Sequence, residues 1–305
     1  MQFYHNVIKG ANFNKNCYNP PMKKITYIFL FLTPYLFSML NTVVTIAPLK
    51  TFVKAIGGDK INITLMVKNG SSPHTYEPKP SQMIKVAKAK LYFSIGVEFE
   101  KIWVPKFKNL NQALKIIDVS KNIKKIKMEE DHQENNREKH HHHQELDPHI
   151  WTTPKNVTLI TKNIYDSLSK IDPKNKIYYH QNLIKFLNKI SYTDHKIKNI
   201  LSHLGKKRTF MVFHPSWGYF AKAYHLRQLP LEIEGKSPKP KAIITLLKVA
   251  KKEHINAIFT QPEFSDSVAK TIAHALKIPV IKSSSLAPNW SENLITMAKA
   301  IANEL

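Results

Sequence analysis

The chain has 305 residues, 43% of them hydrophobic, enough for one large core or two ordinary ones. At roughly 150 residues per domain, two lobes are the expectation. The formal charge of +24 would suit an anionic partner, but the lysines are spread almost evenly and arginines are few. No RNA-recognition motif, zinc-finger spacing or basic helix with interleaved aromatics stands out, which argues against nucleic-acid binding.

Residues 1–21 read as an upstream extension, and Met22-Lys23-Lys24 as a start followed by the apolar run Ile25 to Leu40. A basic head on a short apolar body marks residues 22–41 as a signal peptide, with cleavage near Ser38 to Thr42; an uncleaved anchor is the alternative. Either way the body is expected outside the cytoplasm, in the periplasm. The single cysteine, Cys17, precedes this segment, so neither a disulfide nor a lipid-carrying cysteine after the leader is expected.

The body alternates strand and helix patterns. Thr42 to Ile46, Ile61 to Val67 and Leu91 to Ile95 read as strands, with helical patterns at Leu49 to Ile56 and Pro80 to Lys90. This predicts an α/β lobe with a mostly parallel sheet over residues 42–171. Asp172-Pro173 then reads as the start of a long helix with apolar residues at Leu183, Leu187, Ile190, Ile197, Leu201 and Leu204, closed by Gly205. A helix over 172–205 would be about 50 Å long, able to join two lobes. A second lobe follows over 206–305. Its strand patterns are Arg208 to Phe213, Leu229 to Ile233, Ala257 to Thr260 and Pro279 to Ile281; its helical patterns are Trp217 to Tyr224, Ala242 to Glu253 and Ser265 to Leu276.

Three histidines stand beside prolines in loops between apolar runs: Pro73-His74, Pro148-His149 and His214-Pro215. Proline restricts the local backbone and helps a loop present an imidazole in one orientation. Three neutral imidazoles from distant loops form a nitrogen-rich site that suits Zn²⁺. A polar histidine-rich stretch, residues 129–145, lies just before the second; its His132, His140, His141, His142 and His143 would make weak, exchangeable metal sites on a tether. The remaining histidines, His180, His195, His203, His225, His254 and His274 among them, read as solvated or packed.

Four segments together carry a family resemblance: Gly70 to Ser81 around Pro73-His74-Thr75-Tyr76-Glu77-Pro78, Asp147-Pro148-His149-Ile150-Trp151, Phe213-His214-Pro215-Ser216-Trp217-Gly218-Tyr219-Phe220, and Phe259-Thr260-Gln261-Pro262-Glu263-Phe264. With the long helix between them, they resemble the metal-binding solute receptors of bacterial ABC importers, from about Val43 to Leu305. The zinc-uptake branch is the more similar one, because it carries a histidine at the third ligand position, here His214, and a histidine-rich loop before the second. The resemblance implies a monomeric receptor that captures Zn²⁺ as transported cargo and hands it to the inner-membrane permease of a zinc importer. It also implies His74, His149 and His214 as ligands. Cell adhesion is a family-level possibility that makes an adhesin or other exported interaction protein one alternative, and a manganese receptor of the same family is another.

Two departures bear on the fourth ligand. The family often has an aspartate after the last strand, where this chain reads Ser285-Leu286-Ala287-Pro288; some members use a carboxylate beside the first histidine, where this chain has Pro73. The expected shell is therefore three histidines plus water, or a nearby carboxylate such as Glu263. An open fourth corner also describes a catalytic zinc site, so an exported zinc hydrolase or hydratase is a further alternative. No HExxH helix, GxSxG elbow, CxxC pair or glycine-rich phosphate loop supports an enzyme.

Overall fold

The computed structural model describes residues 39–128, 146–205, 208–232 and 237–303. The expected extension, most of the leader and the histidine-rich stretch with His132 and His140 to His143 lie outside them.

The first lobe is built on a parallel sheet of β1 (Leu40–Val44), β2 (Ile61–Leu65), β3 (Leu91–Ser94) and β4 (Lys115–Asp118) in the order β2-β1-β3-β4. Its helices are α1 (Ala47–Gly57), α2 (Pro80–Ala87), α3 (Glu98–Leu110) and α4 (Pro154–Ile171). The second lobe repeats the plan: β5 (Thr209–Val212), β6 (Arg227–Pro230), β7 (Ile258–Thr260) and β8 (Val280–Lys282) form a parallel sheet in the order β6-β5-β7-β8. Around it lie α6 (Gly218–Ala223), α7 (Pro240–Lys252), α8 (Ser267–Leu276) and α9 (Trp290–Ala302). Between the lobes runs α5 (Lys176–Leu201). In both sheets the order reverses beside the first strand, which opens a crevice at the carboxyl ends of the strands.

Local sequence explains the element ends. Helices α2, α4 and α7 each open on a proline, whose fixed φ suits the first helical turn and whose missing N–H costs nothing there. Thr153 caps α4 by accepting from the Asn156 N–H at 3.2 Å. β1 begins at Leu40, paired with Ile61, and Asn41 pairs with Asn62. The sheet thus uses two residues that the sequence reading assigns to the end of the leader.

The long helix is shorter than expected. Pro173–Asn175 form a 3-10 turn, braced by the Asp172 carboxylate, which accepts from Asn175 Nδ2 at 2.6 Å and the Tyr179 hydroxyl at 2.7 Å. The 26 residues of α5 then span about 39 Å. Its buried side chains, Tyr179, Leu183, Phe186, Ile190, Thr193, Ile197 and Ile200, recur at alternating steps of four and three, an apolar stripe along one face.

That stripe belongs to a core cluster shared by α1, α4, α5 and α9, while a second cluster lies between the second sheet and α7 and α8. The segment after β8 returns to the first lobe: Thr51 Oγ1 donates to Pro288 O at 2.7 Å, Trp151 Nε1 to Ser285 O at 2.8 Å, and Trp290 Nε1 to Trp151 O at 2.7 Å. Two connections of this kind, one helical and one pinned by buried indole bonds, resist wide hinge opening. Among the described residues, no helix is long and apolar enough to cross a membrane.

One buried acid makes the first lobe sensitive to pH. Glu100, in the first turn of α3, accepts from the Ile95 N–H at 3.0 Å, the Gly96 N–H at 2.7 Å and the Thr45 hydroxyl. Burial, only partly offset by these donors, pushes its carboxyl up from 4.5 to about 7. The folded state therefore holds the proton more tightly than the unfolded chain. The associated stability is fully present below about pH 4.5 and is lost as pH rises toward 7, by about 3 kcal/mol. Chemical denaturation of wild type and Glu100→Gln at pH 5 and pH 7 is expected to show a smaller loss between the two values for the variant. Equal losses in both proteins would remove Glu100 as the cause.

Candidate metal centre

His74, His149 and His214 come together in one cleft, lined also by Pro73, Glu98, Gln261, Glu263 and Phe264. The ring centroids lie 5.2 Å apart for His149 and His214, and 5.4 Å for His74 and His214.

His74 sits in the loop from β2 to α2. Gly70 takes φ +77°, a backbone that favours glycine, and the Ser71 N–H closes a turn onto Lys68 O at 3.0 Å. The His74 N–H donates to Ser72 Oγ at 3.2 Å. The far end of the loop is tied down by Gln82. Gln82 Oε1 accepts from the Tyr76 hydroxyl and the Lys79 N–H, and its Nε2 donates to Leu65 O and Met66 O. Glu98, which opens α3, stands 3.4 Å from His74 Nδ1.

His149 lies in the connection between β4 and α4. Asp147 Oδ1 accepts both from its backbone N–H at 2.8 Å and from Nδ1 at 2.8 Å, which fixes the ring. Tyr219 reaches over from α6, donating its hydroxyl to Asp147 O at 3.0 Å and accepting from the Ile126 N–H at 3.2 Å. Burial raises the Tyr219 phenol to about 12, so it stays a donor throughout the neutral range. Asp147 Oδ2 is buried without a hydrogen-bond partner among the described residues and packs on Gly218, where a Cβ would come within 2.6 Å of it. Only glycine at 218 leaves this carboxylate room.

His214 follows β5 directly. Gln261, at the end of β7, clasps its backbone, accepting from His214 N at 3.3 Å and donating to His214 O at 3.1 Å. Its ring stacks on Phe264 with centroids 4.8 Å apart, and Nδ1 lies 2.7 Å from Glu232 Oε1. His149 and His214 are 6% and 7% exposed, whereas the His74 side chain on its loop is 35% exposed.

A carboxylate thus accepts at Nδ1 of His149 and of His214, which holds the proton there and leaves Nε2 of each with its lone pair. The two Nε2 atoms of His149 and His214 face each other at 3.4 Å. Two lone pairs at that distance repel unless a cation lies between them. For a tetrahedral ion with bonds of 2.0–2.1 Å, two ligand nitrogens stand about 3.3–3.4 Å apart. Among the described residues no three histidine, cysteine or acidic side chains already close around one point. Around the three rings, Glu98, Asp147, Glu232 and Glu263 form an acidic patch in a strongly basic chain, a field that favours cations.

Sequence reasoning places the three histidines and leaves their orienting groups unassigned. Asp147 is legible in principle, two residues before His149. Glu98 and Glu232 are not, being 24 and 18 residues from the rings that they hold.

Two parallel α/β lobes joined by a helix, with an imidazole-lined cleft at the strand ends, define a metal-binding solute receptor by architecture. The chain belongs to the zinc-uptake complex component A periplasmic family, whose model matches residues 42–305. A curated relative, the high-affinity zinc uptake system protein ZnuA of Bacillus subtilis, is 35% identical over 241 residues, 77% of this chain and 74% of its own length. The manganese ABC transporter substrate-binding lipoprotein PsaA of Streptococcus pneumoniae is 28% identical over 85% of this chain and 88% of its own. A crystal structure of ZnuA matches with a TM-score of 0.80 at 35% identity, covering 87% of this chain and 98% of that one. A zinc-bound deletion mutant of ZnuA gives 0.79 at 34%, covering the same shares.

Proposed function

We propose that this protein captures Zn²⁺ outside the cytoplasmic membrane on His74, His149 and His214 and delivers it to the permease of an ABC-type importer. The observation that carries the metal reading is the pair of bare Nε2 atoms at 3.4 Å, each held by a carboxylate behind its ring. Zn²⁺ accepts a tetrahedral nitrogen-rich shell and has no need of the six or more oxygens that harder ions take. The match to a zinc-uptake family and to ZnuA supports zinc over manganese and a receptor over an enzyme.

The two buried rings form a fixed floor, and the His74 loop is the adjustable arm. An ion entering from solvent meets His149 and His214 already oriented, then gains the exposed His74 by a small loop movement. The helix α5 and the pinned return segment keep the lobes near their final spacing, so release is a matter of loosening loops, with the lobes staying close.

The histidine-rich stretch at 129–145 is proposed as an auxiliary collector, with His132 and His140 to His143, just before the second ligand in the sequence, binding zinc weakly. Purified wild type is expected to take up one zinc equivalent tightly and further equivalents weakly. Deleting 129–145 should remove the weak equivalents and keep the tight one. Isothermal titration against a competing chelator measures both; loss of the tight equivalent on deletion would contradict the assignment of the shell.

A further inference from the structure

Three neutral imidazoles leave a tetrahedral ion one corner short, and the loop 285–288 offers no carboxylate for it. Four acidic side chains surround the cleft. Asp147 and Glu232 are spent behind His149 and His214, each at an Nδ1. Glu98 stands at the Nδ1 of His74, on the back of that ring with respect to an Nε2-bound ion. Glu263 alone is committed to no histidine.

Its surroundings suit a carboxylate that changes partner. Glu263 lines the cleft and is partly exposed, and its Oε1 accepts one hydrogen bond, from Ser284 Oγ at 2.7 Å. No hydrogen bond among the described residues engages Oε2. The backbone on either side is anchored to a proposed ligand: Gln261 clasps the His214 main chain and Phe264 stacks on its ring. The loop thus holds Glu263 beside the ion position while its side chain remains tethered by a single hydroxyl. A lone hydroxyl contact is a weak hold, and a zinc ion with three neutral ligands is a strong competitor for a carboxylate.

We infer that Glu263 is the fourth ligand, leaving the Ser284 hydroxyl for the ion when zinc enters and completing a shell of three histidines and one carboxylate. The inference rests on the three-histidine reading of the site. Loading would also free Ser284 Oγ, which keeps the Leu286 N–H at 3.0 Å, on the segment that Trp151 and Asn293 tie to the rest of the molecule. The change of partner is therefore communicated to the rim of the cleft.

Zinc affinities of wild type, Glu263→Gln, Ser284→Ala and the double variant, measured by chelator competition, test this. Glu263→Gln is expected to weaken binding roughly 10- to 100-fold. Ser284→Ala is expected to tighten it by about 2- to 10-fold, because the carboxylate no longer has to leave a hydroxyl, and to give no tightening in the Glu263→Gln background. A structural role for either residue would not produce that sign or its disappearance. A zinc-loaded crystal structure should place a Glu263 oxygen at about 2.0–2.2 Å from the ion. Tight zinc binding unchanged in Glu263→Gln, or a water at the fourth corner with Glu263 still on Ser284, would overturn the inference and leave the receptor reading standing. Absence of any tight zinc equivalent in wild type would take both down.

Discussion

Alanine at His149 or His214 is expected to weaken zinc binding by well over the roughly 10–100-fold that loss of an orienting partner typically costs. The two rings supply the floor of the site, and removing either leaves the other with a buried carboxylate and no shared cation. His74→Ala should weaken binding by a similar order, because among the described residues no other imidazole lines the cleft. The fold should survive all three changes, since each residue lies in a loop beyond a strand end and outside the apolar clusters. Chelator competition read beside far-ultraviolet circular dichroism checks both halves. Near-wild-type affinity in two of the three variants would sink the shell.

Discrimination between zinc and manganese is expected to turn on His214. Mn²⁺ binds more weakly than Zn²⁺ to a given set of nitrogen donors and prefers a larger number of oxygens. Wild type should retain Zn²⁺ against a large excess of Mn²⁺. His214→Glu should narrow the gap, weakening zinc more than manganese, because a carboxylate replaces an imidazole and also meets Glu232 as a like charge where His214 donated to it. Competition dialysis with both metals decides this. Manganese retained preferentially by wild type would contradict the zinc assignment while leaving the family and fold untouched.

The strands of both sheets that carry the histidines were legible because each is a short β-branched or aromatic run between turn residues. Strand β4 was not: Lys115-Ile116-Ile117-Asp118 has only two apolar residues and sits on a sheet edge. Helix α3 was hidden by Pro105 in its interior, and α4 by its serines, threonines and lysines, though Val157, Ile160, Ile164 and Leu168 do carry its period. Helix α9, which follows the Ser283-Ser284-Ser285 loop, was given no element although the second lobe was expected to run to 305. These omissions have a common cause. Each missed element draws its stability from tertiary packing, α9 on α5 and α4 on α5 and α1, which a local window does not contain.

At the site, the histidines stood out through their proline neighbours, and His74 and His214 also through their place after strands. Their tautomers could not be read, because a carboxylate such as Glu232 reaches its ring only after the sheet forms. The same holds for Gly218: its role is to leave space for Asp147, a residue 71 positions earlier in the chain.

The most direct test of the account is a crystal structure of the purified protein loaded with one equivalent of zinc, with anomalous data collected at the zinc edge. A single strong peak is predicted between the three imidazoles, at about 2.0–2.1 Å from Nε2 of His74, His149 and His214, with the three Nδ1 atoms still held by Glu98, Asp147 and Glu232. A tight zinc peak lying elsewhere, or one bound by fewer than all three of these histidines, would contradict it.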